Sequence, residues 1–276
     1  MKLIVLLDNN TFIDKYFVGE PGLSFLILHN DIQILFDAGY TDCFMKNAAK
    51  MNLDLLDTDY IVLSHGHNDH TQGLNYLWTF FHNKHSNSEK KPTIIGHPYV
   101  FNEKIDHGQN IGSSLTENEL RCQFNIKLEK KPFWFMKDIV FLGEIPRKNN
   151  FENSDPIGLV KIDERYEDDI VLDDSALVYK SPNGLVIITG CSHSGICNIV
   201  EYAKKVCSDT RIIDIIGGFH LLSPDKKVMK KTLNYLKKNK VSTLHPSHCV
   251  DLKSKFKMSK EFNVEEVGVS LELDYE

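Results

Sequence analysis

Tyr60-Ile61-Val62-Leu63-Ser64-His65-Gly66-His67-Asn68-Asp69-His70 is a short apolar run of buried-strand type that ends in four side chains able to bind metal. In extended backbone, residues two apart point the same way, so His65, His67 and Asp69 share one side. His70 breaks that parity where a helical pattern begins, and a turn there carries it round beside Asp69. Gly66 removes a side chain that would crowd the approach. Three imidazoles and a carboxylate suit Zn, Fe or Mn and are too rich in nitrogen for Ca or Mg. A lone loop histidine is more often a local hydrogen-bonding group. Four such residues at this spacing, at the carboxyl end of a strand where open α/β sheets place their sites, point to a metal centre.

Working outward, short apolar runs alternate with segments of helical periodicity, which indicates an α/β layered fold. Residues 2–7, 23–28 and 32–36 read as strands, the last two joined by His29-Asn30-Asp31. A helix capped by Thr41 runs towards residue 49, and another over 71–81 carries Leu74, Leu77, Trp78 and Phe81 on one face. Residues 93–96 form a further strand. The stretch 108–174 is polar and irregular and reads as an insertion or cover with strands near 133–135 and 139–142. Order returns with a hairpin, 176–180 and 185–189, across Pro182-Asn183-Gly184. Helix 196–206, strand 211–216, helix 224–238 and strand 241–244 complete a second half laid out like the first. Two mixed sheets packed face to face with helices outside suit this order, as one domain over residues 1–276.

The chain has 276 residues, 42% hydrophobic and 25% charged, which excludes disorder and a disulfide scaffold. A net charge of −6 makes general nucleic-acid or anionic-membrane binding a poor expectation. No apolar run approaches the ~20 residues needed to span a bilayer. The start, MKLIVLLDNN, reads as a first strand rather than a signal peptide. The six cysteines lack framework spacing and read as reduced thiols. A cytoplasmic protein with a small-molecule substrate is the expectation.

Cys191 and His193 repeat the strand–loop–helix setting of the first motif, two residues apart and on one side. Cys191 is either a metal ligand that favours Zn or Fe over Mn, or a small packing residue. Helix amides from Gly195 onward could face a phosphate or carboxylate. His220 follows a strand and the pair Gly217-Gly218, and reads as a ligand or a substrate contact. His248 follows the strand 241–244 through Pro246.

His65-x-His67-x-Asp69-His70 followed by Gly73-Leu74 resembles the signature of the metallo-β-lactamase superfamily, whose αββα four-layer sandwich matches the two-half layout. Leu7-Asp8-Asn9, Gly22-Leu23-Ser24, Gly190-Cys191-Ser192-His193-Ser194-Gly195, Gly217-Gly218-Phe219-His220-Leu221 and Pro246-Ser247-His248-Cys249 are similar to one branch. It is the branch that includes dihydropterin–(ribofuranosyl)aminobenzene phosphate synthase. The resemblance implies two divalent metal ions, with Zn favoured over Fe or Mn. It implies His65 and His67 on one ion, Asp69 and His70 on the other, and His248 completing the second site. It also implies that Asp37, in Ile34-Leu35-Phe36-Asp37-Ala38-Gly39, supports the metal loop by hydrogen bonds. Lactamase-like members place a further histidine ligand between the two halves. Here that interval offers only His82, His85, His97 and His107 in other settings, so either Glu144 or His193 takes its place or the enzyme holds one metal ion only.

The chemistry expected is that of a metal-activated water or of metal-assisted expulsion of a leaving group. Asp69 would orient the nucleophile, and His220 or His248 would protonate the leaving group. Arg147, Lys90 and Lys91 are candidate phosphate anchors, Phe219 a candidate substrate contact, and Phe133, Trp134 and Phe135 either a stacking surface for a flat ring or packing. The leading expectation is a hydrolase-like enzyme acting on a phosphorylated or heteroaromatic, pterin-like small molecule. A dihydropterin-type C–N bond-forming transferase and a non-catalytic, metal-bound ligand sensor are the alternatives. A flavodiiron-type redox role lacks its flavin domain.

Overall fold

Alternate residues of the strand Lys2–Leu7 enter two different apolar layers, Leu3 and Val5 on one side and Ile4 and Leu6 on the other. The same division recurs along Ser24–His29, where Phe25 and Ile27 oppose Leu26, and along Gly184–Thr189, where Val186 and Ile188 oppose Leu185 and Ile187. Strands apolar on both faces must be covered on both faces. Three apolar layers result, one between the sheets and one under the helices of each outer face.

The computed structural model describes residues 1–84, 91–152 and 155–276. One seven-stranded sheet has the order Glu272–Asp274, Lys2–Leu7, Ser24–His29, Ile32–Phe36, Tyr60–Val62, Thr93–Gly96 and Asn125–Leu128. The other has the order Asn263–Val264, Thr243–Pro246, Ile212–Gly217, Gly184–Thr189, Ala176–Ser181, Ile139–Phe141 and Phe133–Trp134. Both are mixed, with antiparallel hairpins giving way to parallel neighbours. Helices Cys43–Lys50 and Leu74–Lys84 cover the first sheet, and Ile196–Cys207 and Lys226–Lys238 cover the second. This is the expected αββα arrangement of an α/β fold.

The stretch 108–174 differs from a simple cover. Asn125–Leu128 extends the first sheet, and Phe133–Trp134 and Ile139–Phe141 extend the second. Leu159–Ile162 and Arg165–Asp168 form a small four-stranded sheet with Lys104–Asp106 and Gln109–Asn110. Phe133 and Phe135 pack against the layer between the sheets, and Trp134 stands on the surface away from the candidate site. These aromatics are packing, not a ring-binding surface. Among the described residues no helix is long and apolar enough to cross a membrane, and the six cysteines are unbridged.

The parallel strands all run the same way in register, so their carboxyl ends collect at one rim. Phe36 leads into Asp37, Val62 towards His65, Thr189 towards Cys191, Gly217 towards His220 and Pro246 towards His248. That rim is the site.

Candidate metal centre

Asp37 is fully buried and organises the first loop through three short bonds. Its Oδ1 accepts the Ser64 amide at 2.7 Å, and its Oδ2 accepts both the Ser64 hydroxyl and His70 Nδ1, each at 2.7 Å. Because Ser64 Oγ gives its one proton to Asp37, it must accept from His65 Nδ1, 2.9 Å away. Both imidazoles therefore carry their proton on Nδ1 and turn Nε2 inward, as metal-binding histidines do when a partner holds the other ring nitrogen. His67 caps the short helix Asn68–Thr71, and that turn brings His70 round beside Asp69.

Two groups of ligand atoms converge here. His65, His67 and His193 form one, and Asp69, His70, Cys191 and His248 the other, with the ligand atoms of each group lying within 4.8 Å of one another. His65 Nε2 and His67 Nδ1 stand 3.1 Å apart, close to the roughly 3.4 Å expected of two nitrogens at tetrahedral angles on one zinc ion. In the second group, His70 Nε2 is 3.2 Å from Cys191 Sγ, and Asp69 Oδ2 is 3.1 Å from His248 Nε2. The groups adjoin: the His65 ring of the first stands 4.3 Å from the His70 ring of the second.

The residues fit divalent metal ions. Neither ring nitrogen of His193 has a hydrogen-bond partner although both are buried; buried polar atoms are otherwise rarely left unsatisfied. Burial, helped by neighbouring imidazoles, holds His65 and His193 well below the usual histidine range, and burial with the Lys104 ammonium lowers His67 to about 4. The first group is thus neutral, the form that binds metal. In the second, burial disfavours a charged His70, but the Asp69 and Asp37 carboxylates outweigh it and raise the group to about 9. Burial pushes the Cys191 thiol up, so Cys191 becomes a ligand only by giving its proton up to an incoming cation.

The backbone around the groups is held in unusual conformations. Asp37, Ser192, His220 and His248 all lie in the left-handed region, with φ between 48° and 65°. Non-glycine residues adopt it at a cost of order 1–3 kcal/mol each when surrounding structure imposes it. The His248 amide donates to Asp8 Oδ2 at 2.9 Å, and His248 Nδ1 lies 2.8 Å from Asn9 Oδ1.

Sequence-predicted residues divide as follows. His65, His67, Asp69, His70, Cys191, His193 and His248 come together. His193, not Glu144, joins the first pair; Glu144 lies 2.9 Å from Lys130 Nζ and 3.4 Å from His97 Nε2 instead. His220 lines the cavity beside His193, ring centres 4.4 Å apart, with its Nδ1 buried and unpartnered. Burial opposes a charge on His220, but the hydrogen bond and negative charge of the Cys249 sulfur, itself shifted towards the thiolate, raise its pKa overall. Two readings need correction. Arg147 does not face substrate: its guanidinium donates to the carbonyls of His193, Ile170 and Val171 and so holds the ligand loop. Phe219 is buried in the layer under the second sheet's helices. Lys91 donates to the Cys122 carbonyl at 3.0 Å, and Lys90 and His85 lie outside the described residues. The helix amides after Gly195 do face a carboxylate, but it is the chain's own: Glu152 accepts from the Cys197 and Asn198 amides at 2.7 and 3.0 Å.

Above the ligand groups opens a cavity of about 680 Å³, with Pro21, Tyr40, Ile111, Ile157 and Leu222 as its apolar wall and Asn9, Asn68 and Asp106 among its polar groups. Of these only Asn9, inside the quoted Leu7-Asp8-Asn9 segment, and Asn68, inside the His65–His70 motif, lie in stretches that the sequence marked.

Comparison with known proteins agrees with this geometry. The family model described as metallo-beta-lactamase superfamily matches residues 18–248. The uncharacterized protein MJ0448 of Methanocaldococcus jannaschii is 33% identical over 257 residues, 93% of each chain. The 7,8-dihydropterin-6-methyl-4-(beta-D-ribofuranosyl)-aminobenzene-5'-phosphate synthase of the same organism is 32% identical over 95% of this chain and 92% of its own. Among solved structures, Tm1679, described as a metal-dependent hydrolase of the beta-lactamase superfamily, matches with a TM-score of 0.84 and 28% identity, covering 100% of this chain and 99% of that one. With the sandwich, the rim of histidines and a family match over most of its length, this chain belongs to the metallo-β-lactamase superfamily.

Proposed function

We propose that the chain is a metal-dependent, hydrolase-like enzyme acting on a small molecule with a flat, largely apolar or heteroaromatic body. The observation that carries this reading is the placing of two adjoining ligand groups at the floor of one cavity. Two divalent ions held by His65, His67 and His193 and by Asp69, His70, Cys191 and His248 would supply Lewis acidity and a water activated near neutral pH. The Cys191 thiolate with the imidazoles favours Zn, then Fe, over Mn.

The chain's own groups do the rest. Asp69 keeps about a third of its side chain open to the cavity, the position of a carboxylate that orients a nucleophile. His220 presents an unpartnered Nδ1 to the wall beside His193 and is the proton donor to a leaving group. The described wall contains no Lys or Arg, so a substrate phosphate would be met at the floor rather than by the wall. Apolar wall residues around Tyr40 suit a ring system.

A second reading, a dihydropterin-type C–N bond-forming transferase, is supported by the synthase relative at 32% identity. Parallel assays on one metal-loaded sample separate the two. The hydrolase reading expects turnover on a panel of esters, lactones and phosphodiesters, lost in His67→Ala together with metal at the first group. Pterin–arene condensation with no hydrolytic turnover would overturn it in favour of the transferase, and full metal loading of His67→Ala with normal activity would contradict both.

A further inference from the structure

Lys104 is wholly buried, and its ammonium lies 2.8 Å from Asp169 Oδ2 and 2.9 Å from Asp173 Oδ1, both carboxylates being buried as well. One cation between two anions is an expensive arrangement to bury, and burying it is a poor way to gain stability. The remaining carboxylate oxygens show where the extra negative charge goes. Asp169 Oδ1 accepts the Val171 amide at 2.7 Å, and Asp173 Oδ2 accepts the Gly66 amide at 2.7 Å. Gly66 is the residue between the ligands His65 and His67. A Cβ there would come within 2.3 Å of the Val100 carbonyl oxygen and 3.1 Å of Asp173 Oδ2, so the loop is pressed against this carboxylate.

The same triad holds the cavity wall. The Ile111 amide donates to the Lys104 carbonyl at 2.9 Å, and the Ile111 carbonyl accepts the Asn68 amide at 2.8 Å. The Ile157 amide donates to the Asp169 carbonyl at 2.8 Å. Wall and metal loop are therefore tied to one buried point.

We propose that Asp173, held in place by Lys104, is a positioning residue for the first ligand group: by fixing the Gly66 amide it sets the angle between His65 and His67. The proposal rests on the metal reading above. Removing hydrogen-bond partners of this kind typically costs 10–100-fold in metal affinity.

Cobalt(II) titration tests it, because the two groups differ in signal. Only the second contains a thiolate, so its loading gives sulfur-to-cobalt charge transfer, whereas the first gives ligand-field bands alone. Asp173→Ala and Asp169→Ala each leave Lys104 with one carboxylate and one amide unpartnered, so they form a matched pair. The expected result is a loss of at least about tenfold in cobalt affinity at the first group for Asp173→Ala. Asp169→Ala should stay within about threefold of wild type there, Asp173→Asn should restore affinity by supplying a carbonyl acceptor, and the charge-transfer site should be unaltered throughout. Equal losses in the two alanine variants, or parallel losses at both groups, would overturn the proposal and leave a merely structural triad. Should Asp173→Ala not fold, amide exchange in the wild type decides. Protection of Gly66 before any cobalt is added supports positioning, and protection acquired only on loading overturns it. Wild-type protein that binds no cobalt would sink the metal reading itself, an outcome distinct from wild-type loading matched by Asp173→Ala.

Discussion

At the residue scale, the site is a problem in where protons and charges are kept. Asp37 holds a proton on Nδ1 of His65, through Ser64, and of His70, through its own Oδ2, so His65 presents an Nε2 lone pair before any cation arrives, whereas His70, raised to about 9, must give up its Nε2 proton to bind one. Asp174 is the opposite case. It accepts from the Ser194 amide and hydroxyl, but its Oδ1 is buried without a partner, and burial raises its carboxyl to about 6 from an ordinary 3.8 despite the Ser194 bonds. A carboxyl raised on folding favours the protonated native state, so its contribution is complete below about pH 4 and is lost as pH climbs through about 6. That displacement corresponds to roughly 3 kcal/mol. Asp174→Asn keeps an acceptor for Ser194 and carries no charge. In metal-free protein it should match wild type near pH 4 and exceed it by about 1–3 kcal/mol at pH 7.5 in denaturant unfolding. An unchanged difference across that range would show that Asp174 is not held neutral.

At the scale of elements, the two ligand-bearing loops are locked to each other at Gly190. A Cβ at that position would stand 2.0 Å from Ser64 Oγ and 3.1 Å from Asp37 Oδ2, so an alanine must push Ser64 away from the carboxylate it joins to His65. Gly190→Ala should therefore cost about 1–3 kcal/mol of stability by overpacking and about 10–100-fold in metal affinity. Calorimetric unfolding and metal competition measure the two losses. Normal metal affinity in a destabilised protein would show that the Asp37–Ser64–His65 chain does not control the loop. Arg147 belongs to this scale too. It was legible only as a loop cation, because the carbonyls it holds, Ile170, Val171 and His193, lie 23 to 46 residues further along the chain. Glu152 is similar: its partners at the start of the helix Ile196–Cys207 lie 45 and 46 residues away.

At the scale of the whole molecule, what could be read from the sequence was what repeats locally. Strands such as Ser24–His29 and Gly184–Thr189 are buried along nearly their full length, so their apolar runs announce them. The ligand-bearing loops follow such strands, and spacing by two placed His65 and His67 in one group; Asp69 instead lies in the helix Asn68–Thr71 and joins the other group, and Cys191 and His193, parted by the left-handed Ser192, enter different groups. The small sheet gave no such signal, since Gln109–Asn110 and Arg165–Asp168 are exposed along their lengths and its two short hairpins meet only through residues far apart in the chain, Leu159 with Ile105 and Val160 with Lys104. The Lys104–Asp169–Asp173 triad was illegible for the same reason, its members being 65 and 69 residues apart. Chain-wide topology thus does what local pattern cannot: it brings the carboxyl ends of parallel strands from both sheets to one rim and makes a single centre of two loops. Diffraction recorded at the absorption edge of the bound metal tests that claim most directly. Two anomalous peaks are predicted, one among His65, His67 and His193 and one among Asp69, His70, Cys191 and His248. A metal-soaked crystal with no peak at this rim, or with its peaks among other residues, would contradict it.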